Sequence, residues 1–233
     1  MNKHYEIKAK GKPDFTILHD HLLYVSNAAM IFAKHLGLDI EIARIGGILH
    51  DIGKVSYIFQ KRLSPDFVWG ENELPYRHEI SSLFFISLFP ESIHPYLIEM
   101  ILGHHKSVIR DKRHRGLFDL IEDYGVDEVF EMHAKDFDVW SVSACEILEC
   151  FGIKTHKISI DEAYNNFINV CKYAHKNIIN ETDYSEWRGL LMGADHFASA
   201  VSHKTDELLK PTFKKPDLSY YHSRQNELYP LSL

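Results

Sequence analysis

The sequence predicts an all-α protein, a helical bundle with a cluster of histidine and aspartate at its centre. Three observations predict it. Apolar residues recur at three- and four-residue steps along most of the chain, the period of one helical face. Beyond the short Tyr5–Lys10 segment there is no series of alternating apolar and polar runs, so a sheet-based fold is not expected. Histidines and aspartates stand beside the apolar stripes, where their burial must be compensated.

The first predicted helix covers 20–36: Leu22, Val25, Ala29, Phe32, Ala33 and Leu36 share a face, and Gly37 is a stop signal. The second covers 41–52 through Ile42, Ile45, Ile48 and Leu49. Gly46 and Gly47 are poor helix formers, so their expected use is close packing of a neighbouring helix. Further helices are expected near 78–89, 93–104, 116–124, 127–151, 160–179 and 184–205. Ser159 with Glu162, and Asp183 with Glu186, have capping-box spacing. Segment 62–77 reads as a loop suited to the rim of a site. After residue 205 Pro211, Pro216 and Pro230 interrupt a polar stretch, which divides the chain into a domain, 1–205, and an extended tail or linker, 206–233.

The balance of 26 Lys and Arg against 33 Asp and Glu gives a net charge of -7, so no general basic field invites nucleic acid. Any such contact needs a local patch or a basic partner. Three cysteines without a CxxC pair argue against a disulfide framework and a cysteine metal site. The polar start has no signal-peptide core and no apolar run could cross a bilayer, so no membrane contact and a reducing cytoplasm are expected.

Sixteen histidines set the composition apart, and their positions carry the functional argument. His50-Asp51 ends an apolar helix. Adjacent helical side chains point about 100° apart, so the two could grip one ion only at a helix end, or else touch different faces of a shared site. A structural His–carboxylate pair is the plainer use. His104-His105 follows the apolar run 97–102, and His78 opens another apolar helix. His21 begins the first helix beside His19 and Asp20, and spacing alone does not say which of the three matters. Asp195 lies mid-helix among apolar residues, so it needs a cation or a donor. Together these residues supply enough nitrogen and oxygen ligands for two ions, of a type suited to Mn, Fe, Ni, Co or Zn rather than Ca.

HDIGKVSYIFQKRL, RHEISS, GHHK and ADHFAS, in that order over residues 15–205, resemble the HD superfamily of metal-dependent phosphohydrolases. Within it they look like the HD nuclease domain of the CRISPR-associated nuclease-helicase of type I interference systems. The FQ after HDxGK and the late ADHxAS favour that domain over nucleotide hydrolases. The resemblance implies an HD-domain helical bundle with a central site for two divalent transition-metal ions (Mn, Fe, Ni or Co, with Mg and Zn as further candidates). His21, His50, Asp51 and Asp195 would hold one ion; Asp51, His78, His104 and His105 would hold the other, with Asp51 bridging. Lys54 would lie near the scissile phosphate and Ser199 would support the site. The implied substrate is single-stranded DNA, and the implied partners are a helicase domain or subunit and an RNA-guided CRISPR surveillance complex. Lys106 departs from the small residue that many members place after the paired histidines, and no Walker A pattern occurs.

The run 106–115 carries Lys106, Arg110, Lys112, Arg113 and Arg115 against Asp111, and could lead a DNA backbone to the metals or be a solvated basic loop. Trp69 and Tyr76 could stack on bases or pack on the core. Two other functions stay open: a phosphohydrolase acting on nucleotides or small phosphate esters through a closed pocket, and a non-catalytic partner-binding module.

Overall fold

The computed structural model describes residues 7–11, 16–64, 66–68, 76–104, 116–178 and 185–201. Among these are ten α-helices and one two-stranded antiparallel ribbon, β1 Lys8–Lys10 paired with β2 Thr16–Ile17. The fold is all-α, as the sequence predicts.

The long helix α1, Leu18–Leu36, packs against α2, Ile40–Leu49, and against α10, Glu186–Val201; α10 and α2 also meet α5, His94–Gly103. Gly37 ends α1 in the left-handed conformation at φ 72°, and its N–H bonds to the Ala33 carbonyl. The paired glycines let α2 pack closely on two neighbours, Gly47 on α1 and Gly46 on α5. A Cβ on Gly47 would stand 2.6 Å from Ser26 Cα, and one on Gly46 would collide with the Met100 thioether. This is the close helix packing expected of Gly46 and Gly47.

Behind these four helices lies an aromatic layer. α4, His78–Ser82, gives way to a 3-10 segment, Leu83–Leu88, whose Phe84 and Phe85 are fully buried. They meet Phe130 of α7 (Val126–His133), Phe137 and Trp140 of α8 (Phe137–Cys150), and Phe167 of α9 (Ile160–Asn177). The remaining helices are α3, Tyr57–Arg62, and α6, Leu117–Tyr124.

Several predicted boundaries are corrected. The helix expected over 127–151 is two helices, because Asp136 takes the left-handed conformation at φ 56° and turns the chain between α7 and α8. The helix expected over 78–89 tightens to 3-10 after Ser82, and the one over 41–52 ends at Leu49. α3 was not expected; Ser56 caps it by accepting from the Phe59 N–H. At α9 Ser159 accepts from the Glu162 N–H, but the Glu162 carboxylate binds Ser87 and His156, so half of the expected capping box forms. Asp183 and the tail 206–233 lie outside the described residues. Among the described residues no helix is long and apolar enough to cross a membrane, and the three cysteines are free thiols.

Candidate metal centre

The centre forms where two apolar helices stop. α2 ends at Leu49; His50 is its C-cap, still helical at φ -53° and ψ -37°, while Asp51 leaves the helix at φ -114° and ψ 6°. That break lets consecutive side chains reach one place, which a continuing helix would forbid. α5 ends in the same way, with His104 as its C-cap. Each of these histidines donates Nδ1–H to the carbonyl three residues back: His50 to Gly47 O at 2.8 Å and His104 to Ile101 O at 2.6 Å. The proton on Nδ1 leaves the Nε2 lone pair facing the centre.

Asp51 is the hub, and it has no solvent exposure. Its Oδ2 lies 2.9 Å from His21 Nε2 of α1, 3.3 Å from His50 Nε2 and 2.5 Å from Lys54 Nζ. Its Oδ1 lies 2.8 Å from His78 Nε2, on the first residue of α4, and 3.6 Å from His104 Nε2. Asp195 enters from α10, with Oδ1 3.4 Å from His21 Nε2 and 3.3 Å from Ser199 Oγ, which donates to it. Of the three candidates at the start of α1, the structure selects His21. His19 instead stacks on Phe151 and contacts Asp20.

The fit to a cation can be tested on these atoms. His21 Nε2, His50 Nε2 and Asp51 Oδ1 are buried and make no hydrogen bond among the described residues. Their short approaches converge on common points instead of aligning donor with acceptor. Orphaned buried groups of this kind cost about 1–3 kcal/mol each unless something satisfies them. Two sets could hold an ion, His21–His50–Asp51 and Asp51–His78–His104, the ligand atoms of each set lying within 4.8 Å of one another. The donor chemistry fits a divalent transition metal.

Electrostatics favours the ligating forms. Burial lowers the pKa values of His21 and His78, which favours their neutral forms, against the opposing pull of Asp51. Burial opposes ionisation of Asp51, yet His50, Lys54 and His78 around it hold its carboxyl well below the usual range. Burial likewise raises Asp195, but His50 and His21 outweigh it and bring the carboxyl to about 2. His104 runs the other way: burial lowers it, and its contact with Asp51 raises it further.

The Phe59-Gln60 pair has a bracing use. Phe59 packs edge-on against His78, with ring centroids 5.4 Å apart, and lies under the Lys54 ammonium at 5.5 Å. Gln60 donates to the carbonyls of Lys54 at 2.7 Å and Lys8 at 2.9 Å, and accepts from the Lys8 N–H. Tyr76 is buried, stacks on His133 and donates to Gly53 O at 2.8 Å, so it packs on the core and is not a base-stacking surface. His105, Lys106, Arg110, Lys112, Arg113 and Trp69 lie outside the described residues.

Sequence reasoning missed the buried group behind His78. Arg77 pairs with Glu79, and the Arg77 backbone N–H donates to His133 Nε2 at 3.0 Å. The two charged residues on either side of His78, Arg77 and Glu79, were the available signal.

A family profile described as HD domain matches residues 18–137, which include His21, His50, Asp51, Lys54, His78 and His104. Ribonuclease Y of Pseudothermotoga lettingae is 32% identical over 104 residues, 42% of this chain. The match spans about 17% of that relative's length. No solved structure matches the chain. The chain belongs to the HD-domain family, whose members are typically hydrolases that bind divalent metals, and it carries a buried His/Asp cluster suited to such an ion.

Proposed function

We propose that this chain is a metal-dependent nuclease that hydrolyses phosphodiester bonds of single-stranded DNA, in the manner of the HD domain of type I CRISPR interference. It would act in the cytoplasm with a helicase domain or subunit and an RNA-guided surveillance complex. The observation that carries the reading is the convergence of two ligand sets on one carboxylate, Asp51. A shared carboxylate is what a two-ion site needs, and two-ion sites suit in-line displacement at phosphorus. The Phe59-Gln60 and Asp195–Ser199 motifs support the nuclease branch, and the named ribonuclease relative also points to nucleic acid.

His21, His50, Asp51 and Asp195 would hold one ion, and Asp51, His78, His104 and His105 the other. Bound ions would supply charge neutralisation for the phosphodiester and a water of lowered pKa. The chain supplies the rest. The helix-end carbonyls of Gly47 and Ile101 fix the donor nitrogens of His50 and His104 before any ion arrives. Lys54 keeps a cation against Asp51 and would stabilise charge developing on the phosphoryl oxygens. Burial of the cluster keeps bulk water from competing with these contacts. Lys106, Arg110, Lys112 and Arg113 would guide the strand.

The test is cleavage of circular single-stranded DNA by metal-stripped protein, with Mn, Ni, Co or Mg restored singly and Asp51→Ala protein alongside. Metal-dependent nicking that vanishes in the variant is the expected result. Folded, metal-loaded protein that cuts RNA alone, or only nucleotides, would replace the DNA assignment. Failure on all three substrates would remove the stand-alone nuclease reading.

A further inference from the structure

α10 carries Asp195 into the centre, and α5 ends beside it at His104. The junction of these two helices therefore sets how the two ligand sets stand to one another. The last carbonyls of an α-helix have no partner within it and take donors from elsewhere. At the end of α5 His104 Nδ1–H goes to Ile101 O, and Arg188 Nε–H goes to Gly103 O at 2.9 Å. The second donor is a cation at a helix C-terminus, where the aligned peptide dipoles favour positive charge.

Arg188 belongs to α10 and stands seven residues before Asp195. Seven residues are close to two full turns, so the two share a face, about 10 Å apart along the axis. One face of one helix thus grips the end of α5 and delivers a carboxylate to the centre. The grip is close. A Cβ on Gly103 would stand 2.6 Å from Arg188 Cδ, 2.7 Å from Cγ and 2.8 Å from Nε, so the arginine lies across the helix end where a side chain would otherwise be.

The start of α10 is seated on α5 one turn earlier. Ser185 Oγ donates to Glu99 Oε2 at 2.6 Å and accepts from the Arg188 N–H at 3.4 Å, and the Tyr173 hydroxyl donates to Glu99 Oε1 at 2.8 Å. Glu99 and Gly103 on α5 therefore meet Ser185 and Arg188 on α10, in the same order. The two helices run side by side in one direction, and α10 continues past the end of α5 to bring Asp195 in.

We propose that Arg188 is a positioning residue that clamps the C-terminal turn of α5, and His104 with it, against the helix that carries Asp195. Its use for metal binding rests on the reading of His104 and Asp195 as ligands of two neighbouring ions. The order of the α5 end is a property of the metal-free chain and is measured apart.

The experiment uses the full chain and two variants that attack the contact from opposite sides. Arg188→Met removes the donor. Gly103→Ala leaves the charge and displaces the side chain. Amide hydrogen exchange at residues 100–104 is followed by NMR in metal-free protein. Both variants should exchange about tenfold faster there, the effect of losing a hydrogen bond to a charged group, with α1 unchanged. The sign in Gly103→Ala is decisive, because helix propensity alone would make alanine slow the exchange. Unchanged exchange in Arg188→Met, or slower exchange in Gly103→Ala, overturns the proposal. Titration with Mn should then show the second ion bound ten- to a hundredfold more weakly than in wild type. Wild-type Mn affinities in variants with a loosened α5 end would overturn the positioning role. Should wild type bind no Mn while the exchange results hold, the metal reading fails and the clamp stands.

Discussion

Gly53 lies against the backbone of His78 so closely that a Cβ there would collide with the His78 carbonyl oxygen. The same Cβ would stand 2.8 Å from Ser82 N and 2.9 Å from Ser81 Cβ. None of these is the free end of a flexible side chain. Ser82 Oγ completes the junction: it accepts from the Gly53 N–H at 2.9 Å and donates to His50 O at 2.8 Å. The turn that carries Asp51 is thus locked to the helix that carries His78. Gly53→Ala should cost about 1–3 kcal/mol by overpacking and should weaken Mn uptake, read by urea unfolding and by titration. Gly189→Ala is the control, since a Cβ there meets nothing within 4 Å; it should be neutral or slightly stabilising. Equal losses in both variants would show that the Gly53–His78 contact is not special.

Gln60 gives a second expectation. It ties the Lys54 carbonyl to β1 through bonds made by both ends of its amide. Gln60→Ala should lower stability by about 1–3 kcal/mol and reduce activity less than tenfold, because Gln60 touches no atom of the Asp51 carboxylate group. A loss of activity beyond a hundredfold in stable protein would give Gln60 a direct part in the chemistry.

The helical periodicity made α1 and α9 legible because each buries one face, whereas α2 and α5 showed as apolar runs because their C-terminal halves are buried nearly all round. The break at Asp136 was not, since a non-glycine residue at positive φ leaves no compositional mark. His50 and Asp51 were identifiable as a pair at a helix end, and the backbone change between them explains how both reach one point. The choice of His21 over His19 needed the packing of α1 on α2 and α10. Glu79 and His133 were hidden for a different reason. They are 54 residues apart and are linked through Arg77, so no periodicity marks them.

Asp51 should separate metal binding from folding. Asp51→Asn keeps the volume but leaves the Lys54 ammonium, 2.5 Å away, without its buried carboxylate. Breaking a buried pair costs about 3–5 kcal/mol, so this variant should unfold at lower urea and bind no Mn. Adding Lys54→Met removes the orphaned charge. Asp51→Asn/Lys54→Met should regain most of the stability and still take up no metal, as measured by unfolding and by metal analysis of the same samples. Metal uptake by the double variant would show that His and Asp195 suffice, and that Asp51 is not the shared ligand.

His133 predicts a pH dependence that can be checked without metal or substrate. Burial lowers its pKa from the ordinary 6.5 to about 4. Its Nε2 accepts the Arg77 N–H and its Nδ1–H is given to Val129, so the fold holds the neutral ring. Between about pH 6.5 and 4 the unfolded chain binds a proton here that the folded chain does not. Stability contributed by this residue is therefore full above pH 6.5, falls as the pH drops, and stops changing below about 4. The total is about 3 kcal/mol, from roughly 1.4 kcal/mol per pH unit. Burial lowers His21 and His78 as well, so the quantity to measure is the difference between wild type and His133→Gln in urea-unfolding free energy, from pH 7.5 down to 4.5. The wild-type curve should fall more steeply, converging on the variant by about 2–3 kcal/mol. Parallel curves would mean that His133 accepts a proton as readily in the fold as out of it, and that its burial does not keep it neutral.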